Sequence, residues 1–192
     1  DDTEVPLDET LTAFARLVES GKVRAIGASN YGAERLVQAL SVSKERGLPR
    51  YEVVQPRYNL YDRGEFESGL ADVTGDNELG VVCYFALASG FLSGKYREAK
   101  DFEGRDRAVF ARNYLNDRGL AILAALDEVA SQTGATPAQV ALAWLMARPR
   151  VTAPIVSATS VAQLDETLGA ASVALSPEAI AILDRASAAT GG

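Results

Sequence analysis

A chain of 192 residues with 47% apolar side chains can bury a sizeable core and is too apolar for wholesale disorder. Its net charge of −7 argues against a nucleic-acid or anionic-membrane surface, since both need clustered Lys and Arg. The absence of histidine rules out a Ser-His or Cys-His nucleophile pair and a histidine-based zinc site within the chain, leaving acid–base chemistry to Tyr, Lys, Asp or Glu.

The acidic opening DDTEVPLDET predicts no signal peptide. No apolar stretch approaches the ~18 residues of a membrane span. Leu7, Leu11, Phe14, Leu17 and Val18 recur at helical spacing, with Asp8 as the expected N-cap and Gly21 as the stop. VRAIGA is of strand length. GAERLVQALSVSKERG reads as a helix with Leu36, Val37 and Leu40 on one face and Gly47 ending it. YEVVQPRYN is strand-like up to Pro56, EFESGLADVTGDNELG is a weaker helix, and GVVCYFAL is a strongly apolar strand. Cys83, the single cysteine, lies inside that run. It excludes an internal disulfide, points to a reducing, cytoplasmic setting and reads as a small buried hydrophobe. Residues 88–116 hold three glycines and many charges without a period, which predicts a long functional or mobile loop. Helices follow at about 117–133 and 137–148, the second with Thr136 as cap and Pro137 at its first position. VTAPIVSAT is a fourth strand, SVAQLDETLGAA a helix, and SPEAIAILDRASAA a closing capped helix.

One helix, four strand–helix units and a terminal helix, with short, apolar, non-alternating strands, predict a parallel sheet covered by helices. Both an open doubly wound sheet and part of a βα barrel fit this order. In either, functional groups collect at the carboxyl ends of the strands. Those ends carry Ser29-Asn30, then Gln55 and Asn59, then Tyr84 with Leu87-Ala88-Ser89-Gly90 and Gly94-Lys95, then Ser157, Thr159 and Ser160 before a helix. Amides, hydroxyls, one ring, one lysine and a helix N-terminus suit binding of a carboxamide, a flat ring and a phosphate better than bond-breaking. Each also has a plain structural reading: Ser29-Asn30 and SATS as caps, Tyr84 as core, Lys95 as solvated surface. There is no G-x-G-x-x-G or G-x-x-x-x-G-K-[ST]. Ser41-Val42-Ser43-Lys44 matches S-x-x-K but lies mid-helix without its partner motifs.

GKVRAIGASNY, VVQPRYNLYDR, YFALASGFLSGKYR, TPAQVALAWLMARP and PIVSATSVAQLDE, in this order, resemble the aldo-keto reductases across nearly the whole chain. The resemblance implies a (β/α)8 barrel that binds NADP(H) in extended form without a Rossmann domain. It further implies that residues 1–192 form one α/β domain, the C-terminal half of that TIM barrel: the fourth helix, βα units five to eight with four parallel strands, a terminal helix, and exposed barrel edges. Matched by position, Ser29, Asn30 and Gln55 would hydrogen-bond the nicotinamide carboxamide, and Tyr84 would stack on its ring. Leu87, Ala88, Ser89 and Lys95 would meet the pyrophosphate; Ser157, Thr159, Gln163 and Glu166 would hold the phosphate and adenosine. Arg105, Arg107 or Arg112 is the candidate for the 2′-phosphate. Phe85 and Ala86 stand where the family has Ser-Pro, Ser157 where Gly is common, and Thr167 where Asn is usual.

The family's catalytic Asp, Tyr, Lys and His lie on its first four strands. DDTEVPLDET resembles the segment after that histidine, so the expectation is a cofactor-binding half with no catalytic residue and no metal, inactive alone. A small carbonyl substrate is implied only if the other half completes the barrel. The alternative is a non-catalytic half-barrel module that binds NADP(H) weakly or not at all; a hydrolase on a reused fold is disfavoured by the missing histidine. A half barrel exposes unpaired N–H and C=O groups at both edges, which predicts a homo-oligomer.

Overall fold

The computed structural model describes residues 2–104 and 109–188. They form α1 (Leu7–Glu19), β1 (Ile26–Ser29), α2 (Ala33–Arg46), β2 (Tyr51–Gln55), α3 (Ala71–Asp76), β3 (Gly80–Cys83), α4 (Asp117–Thr133), α5 (Pro137–Met146), β4 (Ala153–Pro154), α6 (Val161–Gly169) and α7 (Pro177–Ser187). The sheet order is β1-β2-β3-β4, sequential and unclosed. β1 and β2 are each followed by a crossover to a parallel neighbour, as βα units require.

The chain divides into two compact units. The first runs up to Pro56 and adds Glu65–Val82. Here β1 pairs with β2 in parallel, Ser29 opposite Gln55, after a register shift between Ile26 and Gly27. Gly27 sits at that shift because a Cβ there would lie 2.9 Å from the Val53 carbonyl oxygen. Leu11, Leu36, Ala39, Val54 and Val81 are fully buried and form its core. α1 begins at Pro6 rather than at an Asp8 cap; Asp8 sits one turn in, favourable for the helix dipole, and pairs with Arg46 at 3.3 Å. α1 closes as expected at Gly21, whose φ of 70° lets the Lys22 and Gly21 amides reach back to the Leu17 and Val18 carbonyls. On α2 the buried face is Leu36, Ala39 and Ser43, not Leu36, Val37 and Leu40; Val37 points to solvent.

The second unit comprises Arg57–Gly64 and the chain from Cys83 onward. α4 packs against α5 and α7, burying Ile122, Leu123, Leu126, Val129, Val140, Leu142 and Trp144 almost completely. The caps read from sequence are present: Thr136 and Gln139 form a reciprocal capping box, and Ser160 and Ser176 cap α6 and α7. Gly119 in the first turn of α4 has no room for a side chain; a Cβ would overlap the Tyr114 carbonyl oxygen and sit 3.0 Å from the Phe91 ring. Gly119→Ala is therefore expected to destabilise the chain by about 1–3 kcal/mol, read as a lowered urea midpoint at unchanged slope.

One expectation is corrected. The described residues of 88–116 do not form a structureless loop. They fold as short 3-10 turns at Ala88–Ser93, Ala99–Phe102 and Ala111–Tyr114, pinned by buried Phe91, Leu92, Tyr96, Phe102 and Tyr114. Tyr96 stacks on Phe102 at 4.6 Å and Phe91 on Tyr114 at 5.8 Å. In β1 Ile26 and Ala28 are buried, and in β3 Val81 and Cys83 are buried while Val82 is half-buried. A sheet of four strands lacks the opposite wall that fills a closed barrel, so one face stays accessible. Among the described residues, no single helix is long and apolar enough to cross a membrane.

Candidate functional site

In the first unit, β1 ends in small polar residues for a structural reason. The Ser29 hydroxyl donates to the Gln55 carbonyl at 3.0 Å, tying the carboxyl ends of two neighbouring strands. Asn30 then takes φ of 59°, a conformation Asn tolerates better than most residues. That turn buries Tyr31, whose hydroxyl lies 3.3 Å from that of Tyr51. Burial, then the Tyr51 hydrogen bond, pushes the Tyr31 hydroxyl up to about 12. The predicted residues Ser29 and Gln55 are brought together directly. Gln55 is half-buried and Asn30 is exposed.

In the second unit, Tyr84 follows β3, bridges in parallel to Arg57, and accepts from the Tyr58 amide at 3.4 Å. Its ring is half-buried with the Phe85 ring 5.3 Å away, so it is not a core side chain. Phe85 has φ of 54°, and its carbonyl accepts from the Asn59 amide at 3.0 Å. Asn59 is wholly buried, donates also to Asp62, and accepts from the Tyr61 and Asp62 amides. It holds the loop after β2 against the end of β3 and has no capacity left for a ligand.

After Phe85 the backbone makes an unusual run. Ala88, Ser89 and Gly90 have φ of 47°, 56° and 86° in succession. Left-handed non-glycine residues cost roughly 1–2 kcal/mol each. Burial of Ala88, Phe91 and Leu92 and the Ala88 amide bond to the Phe85 carbonyl at 2.7 Å hold them there. The Lys95 side chain folds back over this run: its Nζ lies 3.1 Å from where a Gly90 Cβ would be, and 5.1 Å from the Tyr96 ring centre. The Ala88 and Gly90 amides of this run donate to the Phe85 and Leu87 carbonyls, so the ammonium of Lys95 is the charged group beside it.

At the last strand–helix junction, Ser160 caps α6, and the Gln163 side-chain oxygen accepts from both the Thr159 amide and its hydroxyl, at 2.8 and 2.9 Å. Thr159 and Gln163 are thus together. Ser157 and Glu166 are exposed; the Glu166 carbonyl accepts from the Gln139 side-chain amide at 2.9 Å. Arg112 lies 5.5 Å over the Phe102 ring and lines a cleft of about 410 Å³ with Lys100 and Glu103. Arg105 and Arg107 lie outside the described residues. A second cleft of about 470 Å³, lined by Gln132, Gln139, Val173 and Ser176 among others, involves none of the predicted residues.

The Asp62–Tyr114 pair went unread in the sequence. The Tyr114 hydroxyl donates to Asp62 at 2.8 Å, and burial followed by that bond raises its pKa. An Asn three residues before an Asp, just after a strand, is the one local signal of such a loop.

The sequence matches the Aldo/keto reductase family over residues 1–188. The chain belongs to that family. It is 34% identical over 175 residues to L-glyceraldehyde 3-phosphate reductase of Escherichia coli (strain K12), covering 88% of this chain and 50% of that protein. It is 30% identical over 178 residues to the NADP(+) aldo-keto reductase yakc of Schizosaccharomyces pombe, covering 90% of this chain and 51% of that one. The structure resembles a thermostable aldo-keto reductase solved with the inhibitor epalrestat, with a TM-score of 0.74 at 30% identity, covering 96% of this chain and 56% of that one. The chain spans about half the length of the curated aldo-keto reductases it matches. Its sequential, unclosed four-stranded sheet is accordingly part of an aldo-keto reductase barrel.

Cys83 is fully buried, as its apolar surroundings indicate, and burial pushes its thiol up to about 11. With Tyr31, it keeps its proton to higher pH in the folded chain than in the unfolded one. Their stabilising contribution is complete below the ordinary thiol pKa and is lost as pH rises from about 9 to about 12. The expected result is a urea midpoint that falls progressively across that window. Cys83 should also resist a thiol reagent at pH 8 until urea unfolds the chain.

Proposed function

We propose that these residues are the NADP(H)-binding part of an NADPH-dependent aldo-keto reductase. Family membership and the NADP(+) designation of the yeast relative support the reading. The observation that carries it is Lys95 folded over the left-handed run Ala88–Gly90 directly after Tyr84. In this reading Ser29, Asn30 and Gln55 hold the carboxamide, and Tyr84 stacks on the nicotinamide. Leu87, Ala88, Ser89 and Lys95 take the pyrophosphate, while Ser157, Thr159, Gln163 and Glu166 take the adenosine end, with Arg112 the described candidate for the 2′-phosphate. The donor set fits: amides for an amide, a ring for a ring, an ammonium for phosphates.

When bound, the cofactor would supply hydride to a carbonyl carbon. The residues here bind and orient; none is assigned to protonate the carbonyl oxygen. The chain contains no histidine, and Tyr84 is aligned for stacking. Carbonyl reduction therefore needs a proton donor from outside these 192 residues. That same observation favours the second reading, a non-catalytic half-barrel module.

The experiment is a thermal melt with and without NADPH, alongside an assay of aldehyde-dependent NADPH oxidation by the chain alone. The proposal expects stabilisation of about 2.7 kcal/mol at NADPH concentrations a hundred times Kd, with no turnover. Turnover by the chain alone would refute the division of roles; an unmoved melt at high NADPH would refute cofactor binding.

A further inference from the structure

Arg97 ties the turn that carries Lys95 to α4. Its Nη1 and Nη2 each donate to a separate carboxylate oxygen of Asp127, both at 2.8 Å. Its Nε donates to the Gly94 carbonyl, also at 2.8 Å. The Arg97 backbone amide donates to the Asp101 carboxylate at 2.8 Å. Gly94 is left-handed, with φ of 79°, and a Cβ there would lie 2.7 Å from Arg97 Nη2. The guanidinium thus closes over the turn from Gly94 to Arg97, and Lys95 lies within that turn. Asp127 stands on the exposed side of α4, whose other side buries Leu123, Leu126 and Ala130. A single exposed ion pair contributes little. A parallel fork fixes orientation as well as distance, and here the same guanidinium also holds the backbone one residue before Lys95.

We propose that Arg97 and Asp127 are positioning residues that hold Lys95 over the Ala88–Gly90 run and so set how tightly the chain takes a nucleotide pyrophosphate. The proposal rests on the NADP(H)-binding reading. The two charges cancel, so the pair as a unit adds no net attraction for phosphate. Its effect passes through the placement of Lys95. That gives the role a sign of its own. Removing the Asp127 carboxylate would, by charge alone, tighten the binding of an anion. Loss of positioning weakens it instead.

The test is a calorimetric titration with NADPH of the wild-type chain, Lys95→Ala, Asp127→Ala and the double variant. Ala is a better helix former than Asp, so Asp127→Ala keeps α4. The expected result is binding about fivefold weaker in Asp127→Ala, with Lys95→Ala then costing about twofold in place of about tenfold. Arg97→Lys keeps the charge but cannot form the fork, so it should match Asp127→Ala. Tighter or unchanged binding by Asp127→Ala overturns the proposal, as does a Lys95→Ala loss that is the same with and without Asp127. A wild-type chain that takes no NADPH overturns the cofactor reading, and hydrogen exchange then decides the positioning. The amides of Gly90, Leu92 and Gly94 donate to the Leu87 and Phe91 carbonyls. Faster exchange there in Asp127→Ala than in wild type, with amides of 122–126 unchanged, supports the positioning role, and equal rates overturn it.

Discussion

Trp144→Ala is expected to lower stability by about 3–5 kcal/mol, the range for emptying a fully buried indole site. Trp144 is completely buried, with the Tyr58 ring 5.6 Å away. The Arg148 guanidinium stacks over it at 4.5 Å and that of Arg63 at 5.2 Å. Its indole N–H donates to Asp184 at 3.0 Å, and Asp184 also accepts from Arg63 and Arg148. One side chain thus joins α5, the loop after β2 and α7. Trp144→Phe keeps most of the apolar volume and loses the N–H donor, so it should cost only about 1 kcal/mol. Urea denaturation followed by far-ultraviolet circular dichroism separates the two. Equal losses in both variants would show that the hydrogen bond, and not the packing, holds α7.

Tyr84→Ala should weaken NADPH binding by about 1–3 kcal/mol, the usual worth of an aromatic platform under a flat heterocycle. Tyr84→Phe should bind nearly as well as wild type. The ring is half-buried, and the Tyr84 backbone carbonyl accepts from the Tyr58 amide, which anchors the residue at the end of β3. If Tyr84→Phe lost as much as Tyr84→Ala, the hydroxyl would be the working group and the stacking role would be wrong. Lys95→Ala should weaken binding by about tenfold, less at high salt, because an exposed ammonium acts through a screened field.

Much of this was legible in the sequence because local physics fixed it. Pro137 and the Thr136–Gln139 box start α5, Gly47 at φ of 62° ends α2, and Ser29 and Gln55 fall at strand ends and meet. What could not be read depends on distant partners. The 3-10 turns of 88–116 have no period; they exist because Tyr96 finds Phe102 and Phe91 finds Tyr114. Asn59 looked like a ligand amide, but its donors and acceptors are consumed by Asp62, Tyr61 and Phe85. The last strand–helix junction reads in sequence both as a cap and as an anion site; the cap is formed, by Ser160 and by Gln163 folding onto Thr159.

The most direct measurement is a calorimetric titration of the folded wild-type chain with NADPH. The account predicts saturable heat with one cofactor per chain and an affinity that declines as salt is raised. A folded chain that gives no heat with millimolar NADPH would contradict it.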